Sequence, residues 1–224
     1  MKLPISQRLL ACAAFVLPGE RIADIGCDHG YLSIHLLTNG IARSCIASDV
    51  RPQPLQSAVQ NAEKFGVREK MEFYLSDGVQ SIPRDFDCMV CAGMGGDTIV
   101  SILNSAPWLR SDAYRLILQC QSKTPMLRKF LSQQGWRIDK ETVLRDGKFL
   151  YTVMQVQFDP GQAFLTDAQC YFPPVLLLDA TDAVAEYYRW VLGGLEIAAA
   201  HRDDGKEILA ELRSLPQNYP CLEE

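Results

Sequence analysis

The chain has 224 residues, 48% hydrophobic and 22% charged, with a net charge of −5 and a pI near 5.3. That length suffices for one good core plus a small appendage. No apolar run reaches the roughly 18 residues of a membrane span, and the acidic balance gives no global electrostatic case for nucleic acid. The charge is unevenly divided: residues 1–160 carry 18 basic against 16 acidic side chains, residues 161–224 carry 4 against 11. A polyanion would therefore meet the first part.

Eight cysteines are scattered along the chain, several of them in strand-like apolar runs. This is the usage of reduced thiols packed as small core residues, and it points to the cytoplasm. Cys88 and Cys91 form a CxxC, but no second pair accompanies it and the two would face opposite sides of one strand, so no metal site is expected. The apolar patch at 9–17 has the length of a signal core, yet it follows a helical rhythm and no small-residue cleavage site follows it.

In chain order, residues 6–16 read as a helix capped by Ser6 and stopped by Pro18-Gly19; Arg8 lies near its start and can face the mouth of a site. Residues 22–25 are a short apolar strand of the kind a covered parallel sheet needs. A loop bracketed by Gly26 and Gly30 leads to a helix at 31–37. Strand 44–48 ends at Asp49, at the interval where a second strand of a βαβ unit delivers an acid to a ribose diol. Helix 52–65 is amphipathic. Strand 71–75 is followed by Asp77-Gly78, where an Asp can accept a hydrogen bond from an adenine amino group or simply form a turn. Strand 87–92 runs into Gly93-Met94-Gly95-Gly96, a bare-backbone turn at a strand's carboxyl end, and then a helix at 97–103. Strand 115–120 precedes a helix at 124–134, capped by Thr124 with Pro125 behind it. Residues 136–158 form a hairpin with an Asp146-Gly147 turn. Pro160-Gly161 marks a boundary. Beyond it, 162–180 reads as loop, and helices at 183–202 and 206–215, broken at Asp203-Asp204-Gly205, form a small αα-hairpin.

A strand–loop–helix early in an α/β chain is where nucleotide-like cofactors sit. Phosphate can be set aside here. A dinucleotide fingerprint wants glycine two positions after Gly26, where this chain has Asp28, and no Gly-Lys-Ser/Thr follows for a P-loop. S-adenosylmethionine (SAM) carries a sulfonium and an ammonium and no phosphate, so acids around this loop favour it. Five β/α units closed by a β-hairpin are the class I methyltransferase layout. The expected fold is therefore α/β: a Rossmann-like methyltransferase sheet with a terminal hairpin over residues 1–160 and a small helical domain, an αα-hairpin, over 161–224.

The motifs resemble one family closely, the bacterial tRNA (adenine-22, N1) methyltransferases. The matching pieces are Arg8-Leu9, the run from Ala23 through Asp24, Gly26, Asp28, His29, Gly30 and Tyr31 to Leu32, Ser48-Asp49-Val50, Gln56-Ser57-Ala58, Asp77-Gly78 and Ala92-Gly93-Met94-Gly95-Gly96. The resemblance implies SAM as methyl donor and N1 of adenine 22 in tRNA as acceptor; the cysteine spacing gives no reason to expect a metal. The resemblance also implies a cofactor site built from Asp24, Gly26, Asp28, His29, Gly30, Asp49, Val50, Asp77, Gly78, Gly93, Met94 and Gly95. Ser33 stands where the family carries Pro, a change expected to touch only the helix's first turn. The family's helical domain helps hold tRNA, yet here that segment is acidic and would repel phosphates as a whole, so either a local basic strip around Arg189, Arg202, Lys206 and Arg213 serves or the appendage has another job.

Adenine N1 has a lone pair and no proton, so attack on a sulfonium methyl needs positioning and charge stabilisation rather than a general base. Asp28 is the candidate to accept from the adenine N6–H, with His29 or Tyr31 lining the pocket; alternatively Asp28 binds only the SAM ammonium or caps the helix. Arg8, Arg51, Lys123, Arg128 and Lys129 are candidates to follow phosphates, although each alone is more often a solvated surface charge. A monomer acting in the cytoplasm is expected. A small-molecule methyltransferase and a non-catalytic SAM-binding module are the other readings.

Overall fold

The computed structural model describes residues 2–179, 181–199, 205–215 and 222. The described residues form a seven-stranded sheet flanked by helices. Strands β1 (Arg21–Ile25), β2 (Ser44–Asp49), β3 (Met71–Leu75), β4 (Cys88–Gly95) and β5 (Arg115–Ser122) run parallel, and β6 (Trp136–Asp146) and β7 (Phe149–Phe158) add an antiparallel hairpin, in the order β3-β2-β1-β4-β5-β7-β6. This is the expected Rossmann-like methyltransferase sheet.

Each central strand is buried on both faces, so its successive side chains feed two cores. Cys88 and Val90 join the core under α1 (Gln7–Ala13), α2 (Tyr31–Thr38) and α3 (Pro52–Lys64). Met89 and Cys91 join the opposite one, under α4 (Gly96–Ser105) and α5 (Thr124–Gln133). The CxxC thiols thus point apart, and burial pushes that of Cys91 up to about 12. No described helix is long and apolar enough to cross a membrane.

Four local expectations need correction. Strand β4 does not stop at Ala92. Gly93, at φ +80°, steps out of the ladder as a bulge, after which Met94 and Gly95 pair again with Cys120 and Ser122. Helix α4 then begins at Gly96, where a Cβ would lie 3.1–3.2 Å from backbone oxygens of Lys123 and Ser122. Bare backbone is needed there for β4 to approach the end of β5. Thr124 is not the cap of α5; Lys123 holds that position in a left-handed conformation, φ +61°. The hairpin turn is Gly147-Lys148, with Asp146 as the last residue of β6, paired to Phe149. Residues 162–180 contain a short helix α6 (Asp167–Tyr171), closed by a Thr166/Gln169 capping box, and a 3₁₀ turn at Pro174–Leu178. The expected break at Asp203-Asp204 lies outside the described residues.

Helices α7 (Asp182–Ala199) and α8 (Gly205–Arg213) share a third core with Phe172 and with Val143 of β6. Arg128 ties them to the sheet. Read from sequence as a phosphate contact, it is instead fully buried. Its guanidinium donates to Glu141 on β6 at 2.7 Å, to the Cys170 and Tyr171 carbonyls at 2.9 and 2.8 Å, and to the Tyr187 hydroxyl on α7 at 3.3 Å. Burial opposes its charge, but Glu141 and Tyr187 outweigh that and keep it protonated. Because removing one partner strands the other's charge, Arg128→Met should lower unfolding stability in urea by about 3–5 kcal/mol. Arg128→Met with Glu141→Leu should recover most of the loss; a single variant as stable as wild type would contradict this role.

Candidate functional site

A cleft of about 460 Å³ opens over the carboxyl ends of the parallel strands. The loop after β1 contributes Gly26, Asp28 and His29, with Asp24 below it and Tyr31 beyond. Asp49 and Val50 come from the end of β2, Asp77 and Gly78 from the turn after β3, and Gly93 and Met94 from the bulged end of β4. Two predicted site residues lie off the cleft. Gly30 caps α2 at φ +72°, and a Cβ there would sit 3.0 Å from that of Ala58 on α3. Gly95 lies against Ser122, whose hydroxyl would be 3.1 Å from an added Cβ. Both serve close packing of elements rather than the surface of the cleft.

The loop is shaped by three left-handed residues within five positions: Gly26 at φ +71°, Asp28 at +49° and Gly30 at +72°. Asp tolerates this region better than most side chains. The Gly26 and Cys27 amides both donate to the Ser48 carbonyl at 2.8 Å, and the Asp28 amide donates to Asp49 at 3.2 Å, so the loop is bound to β2. Across the cleft, a Cβ on Gly26 would come within 2.4 Å of the Met94 methyl. The Asp28 side chain is 62% exposed at the rim, 3.8 Å from His29, whose ring lies 5.5 Å from that of Tyr31.

Below the rim the acids are buried. Asp49 also accepts from the Arg51 amide at 2.9 Å. Asp24 is 3% exposed, and Ser33 donates to it at 2.8 Å. Ser33 therefore does more than alter a helix turn, since a proline there has no hydroxyl to give. Burial pushes the Asp24 carboxyl up to about 6, with the Ser33 hydrogen bonds partly offsetting the shift. Four acids (Asp24, Asp28, Asp49 and Asp77) meet two arginines, Arg8 and Arg51, on these walls. Arg8 already faces Asp146 at 3.3 Å and Arg51 lies 3.9 Å from Asp49. Such a set of acceptors suits a guest with positive charge and hydroxyls and disfavours a pyrophosphate, so the residues fit SAM.

Sequence reasoning did not single out Gln119 or Gln121. Gln119 is fully buried; it accepts from the Gly93 amide at 2.9 Å and from Arg8 at 3.4 Å, and so fixes the bulge and the arginine together. Gln121 lines the cleft directly. The available signal was two glutamines at alternate positions closing an otherwise apolar strand. Of the proposed basic contacts, Lys123 and Lys129 are paired with Asp97 and Asp167 at 2.5 and 2.6 Å.

Asp24 makes the free protein's stability depend on pH. Its folded value is raised, so the stability it contributes is full below 3.8 and falls as pH rises through about 6. Asp24→Asn should accordingly stabilise the ligand-free protein at pH 7.5. At 1.36 kcal/mol per pH unit over the interval from 3.8 to about 6, the gain is on the order of 3 kcal/mol. It should shrink toward zero near pH 4. Thermal melts at the two pH values check this, and a variant no more stable than wild type at pH 7.5 would contradict it.

Residues 5–154 match the family described as "Methyltransferase domain". The chain is 30% identical to the Bacillus subtilis tRNA (adenine(22)-N(1))-methyltransferase over 68% of its own length and 65% of that protein's. The chain spans 61% and 65% of the length of the curated relatives it matches in Mycoplasma genitalium and B. subtilis. Among solved structures, it resembles a Streptococcus pneumoniae protein, a candidate tRNA (m1A22) methyltransferase in complex with S-adenosyl-L-methionine. There the identity is 31% and the TM-score 0.84, over 94% of this chain and 98% of that one. The B. subtilis m1A22 tRNA methyltransferase TrmK superposes with a TM-score of 0.79 at 25% identity, over 99% and 98% of the two chains. With the Rossmann-like sheet, its terminal hairpin and the acid-lined cleft, these likenesses place the chain in the TrmK-type tRNA m1A22 methyltransferase family.

Proposed function

We propose that the protein methylates N1 of adenine 22 in tRNA with SAM as donor. The observation that carries this reading is the acid-lined, left-handed loop between β1 and α2, in which Asp28 stands where a phosphate-binding glycine would be. Bound SAM supplies a methyl group on a positively charged sulfur. The N1 lone pair forms the new N–C bond as the S–C bond breaks, and the positive charge passes to the base. No proton has to leave N1 first, so the chain's task is to orient the base, exclude water and stabilise the cation.

Each part of the cleft has a place in that task. Buried Asp49 offers a carboxylate to a ribose diol, and Asp77 one to the adenine amino group of the cofactor. Asp24 holds negative charge deep in the cleft beside the cationic donor. At the rim, the described residues give the Asp28 carboxylate only the 3.8 Å contact with His29, which leaves it available to the N6–H of the target adenine. Accepting that hydrogen bond fixes the ring and favours its cationic form. His29 and Tyr31 wall the same rim. Because N1 lies on the Watson–Crick edge, the base must be unpaired to enter.

Methyl groups labelled in SAM should appear in unmodified tRNA as 1-methyladenosine and be lost when A22 is changed; a tRNA that stays unlabelled would overturn the reading. Asp28→Asn should lower kcat roughly 100-fold, the scale of a lost positioning and charge-stabilising group, while SAM affinity changes by less than about threefold. An unchanged kcat with weakened SAM binding would assign Asp28 to the cofactor alone.

A further inference from the structure

A second cleft, of about 360 Å³, lies between the ends of β5 and β7 and the face of α7. It adjoins the first: Gln121 lines both, and Arg8, on the wall of the first, lies over the ring of Tyr151, on the wall of the second, at 5.3 Å. Its walls are aromatic. Trp190 is 67% exposed and is the outer ring of a stack. It lies 5.7 Å from Tyr187 with planes 28° apart, and Tyr187 in turn lies 6.2 Å from Phe172 with planes 27° apart. Tyr187 is itself held by the buried Arg128, so the stack is anchored to the sheet. Thr152, 2% exposed, also lines this cleft, and its hydroxyl has no hydrogen-bond partner among the described residues.

We infer that this groove receives a second, unpaired nucleobase of the tRNA, stacked on Trp190, while the target adenine occupies the first cleft. The inference rests on the proposed function. Charge decides the kind of guest. The segment carrying Trp190 is strongly acidic, with 4 basic against 11 acidic residues over 161–224, and Lys123 on the groove's wall is already paired with Asp97. A phosphate would be repelled, whereas stacking of a base on an aromatic face is indifferent to sequence and needs no cation. Drawing adenine out of its pair leaves its neighbours splayed, and the continuity of the two clefts puts such a neighbour within reach.

The test is steady-state methylation of tRNA by the full chain, with SAM saturating. Trp190→Ala should raise KM for tRNA by about tenfold or more, with kcat and SAM affinity kept, and Trp190→Phe should restore most of the loss. Titration with tRNA should quench tryptophan emission in wild type, and the quench should be largely gone in Trp190→Ala. Unchanged KM and unchanged quenching in Trp190→Ala, in a protein that methylates tRNA, would overturn the inference and leave the proposed function standing. Sedimentation that shifts from dimer to monomer in Trp190→Ala with KM unchanged would give the groove to a second copy of the chain and likewise overturn it. A wild-type protein that does not methylate tRNA would remove both.

Discussion

A carboxylate held in the dry interior at the end of β1 is the constraint around which the site is arranged. Among the described residues Asp24 has one side-chain donor, Ser33, and its burial costs more than that hydrogen bond returns. Such a group is favourable when a cation comes to it. The backbone above follows the same logic: three left-handed residues in five positions turn the chain tightly enough for the Gly26 and Cys27 amides to bond to Ser48 and the Asp28 amide to bond to Asp49. The amides that a dinucleotide loop would turn toward phosphate are here spent on the neighbouring strand.

The second organising group is Arg128. A guanidinium with no exposed surface joins α5, β6, α6 and α7 through a carboxylate, two carbonyls and a phenol. Through Tyr187 it also sets the aromatic stack that ends at Trp190. The helical segment and the strand ends that form the cleft are thereby held to one sheet.

Much of this was legible in the sequence. The parallel strands announce themselves as continuous apolar runs such as Cys45-Ile46-Ala47, because both faces are covered. Asp49, Asp77 and Gly93 stand at strand ends, where an α/β sheet opens to ligands, and the cleft gathers them. What escaped reading depends on contacts distant in the chain. The glycines after Ala92 look like a turn, yet pairing with Cys120 and Ser122 carries the strand through them. Lys123 is an improbable left-handed cap until the close approach of Gly96 to its carbonyl is known. Arg128 looks like any surface arginine on an amphipathic helix; only the partners brought by residues 141, 170, 171 and 187 bury it. Gly30 and Gly95 sit inside the right motifs but are needed for packing against Ala58 and Ser122.

The central claim is that the first crossover loop selects a positively charged sulfur compound over a phosphate-bearing nucleotide. Titration calorimetry of one preparation with SAM and, separately, with NAD tests it most directly. The account predicts saturable binding of SAM at a single site and no detectable heat from NAD. Binding of NAD with none of SAM would contradict it.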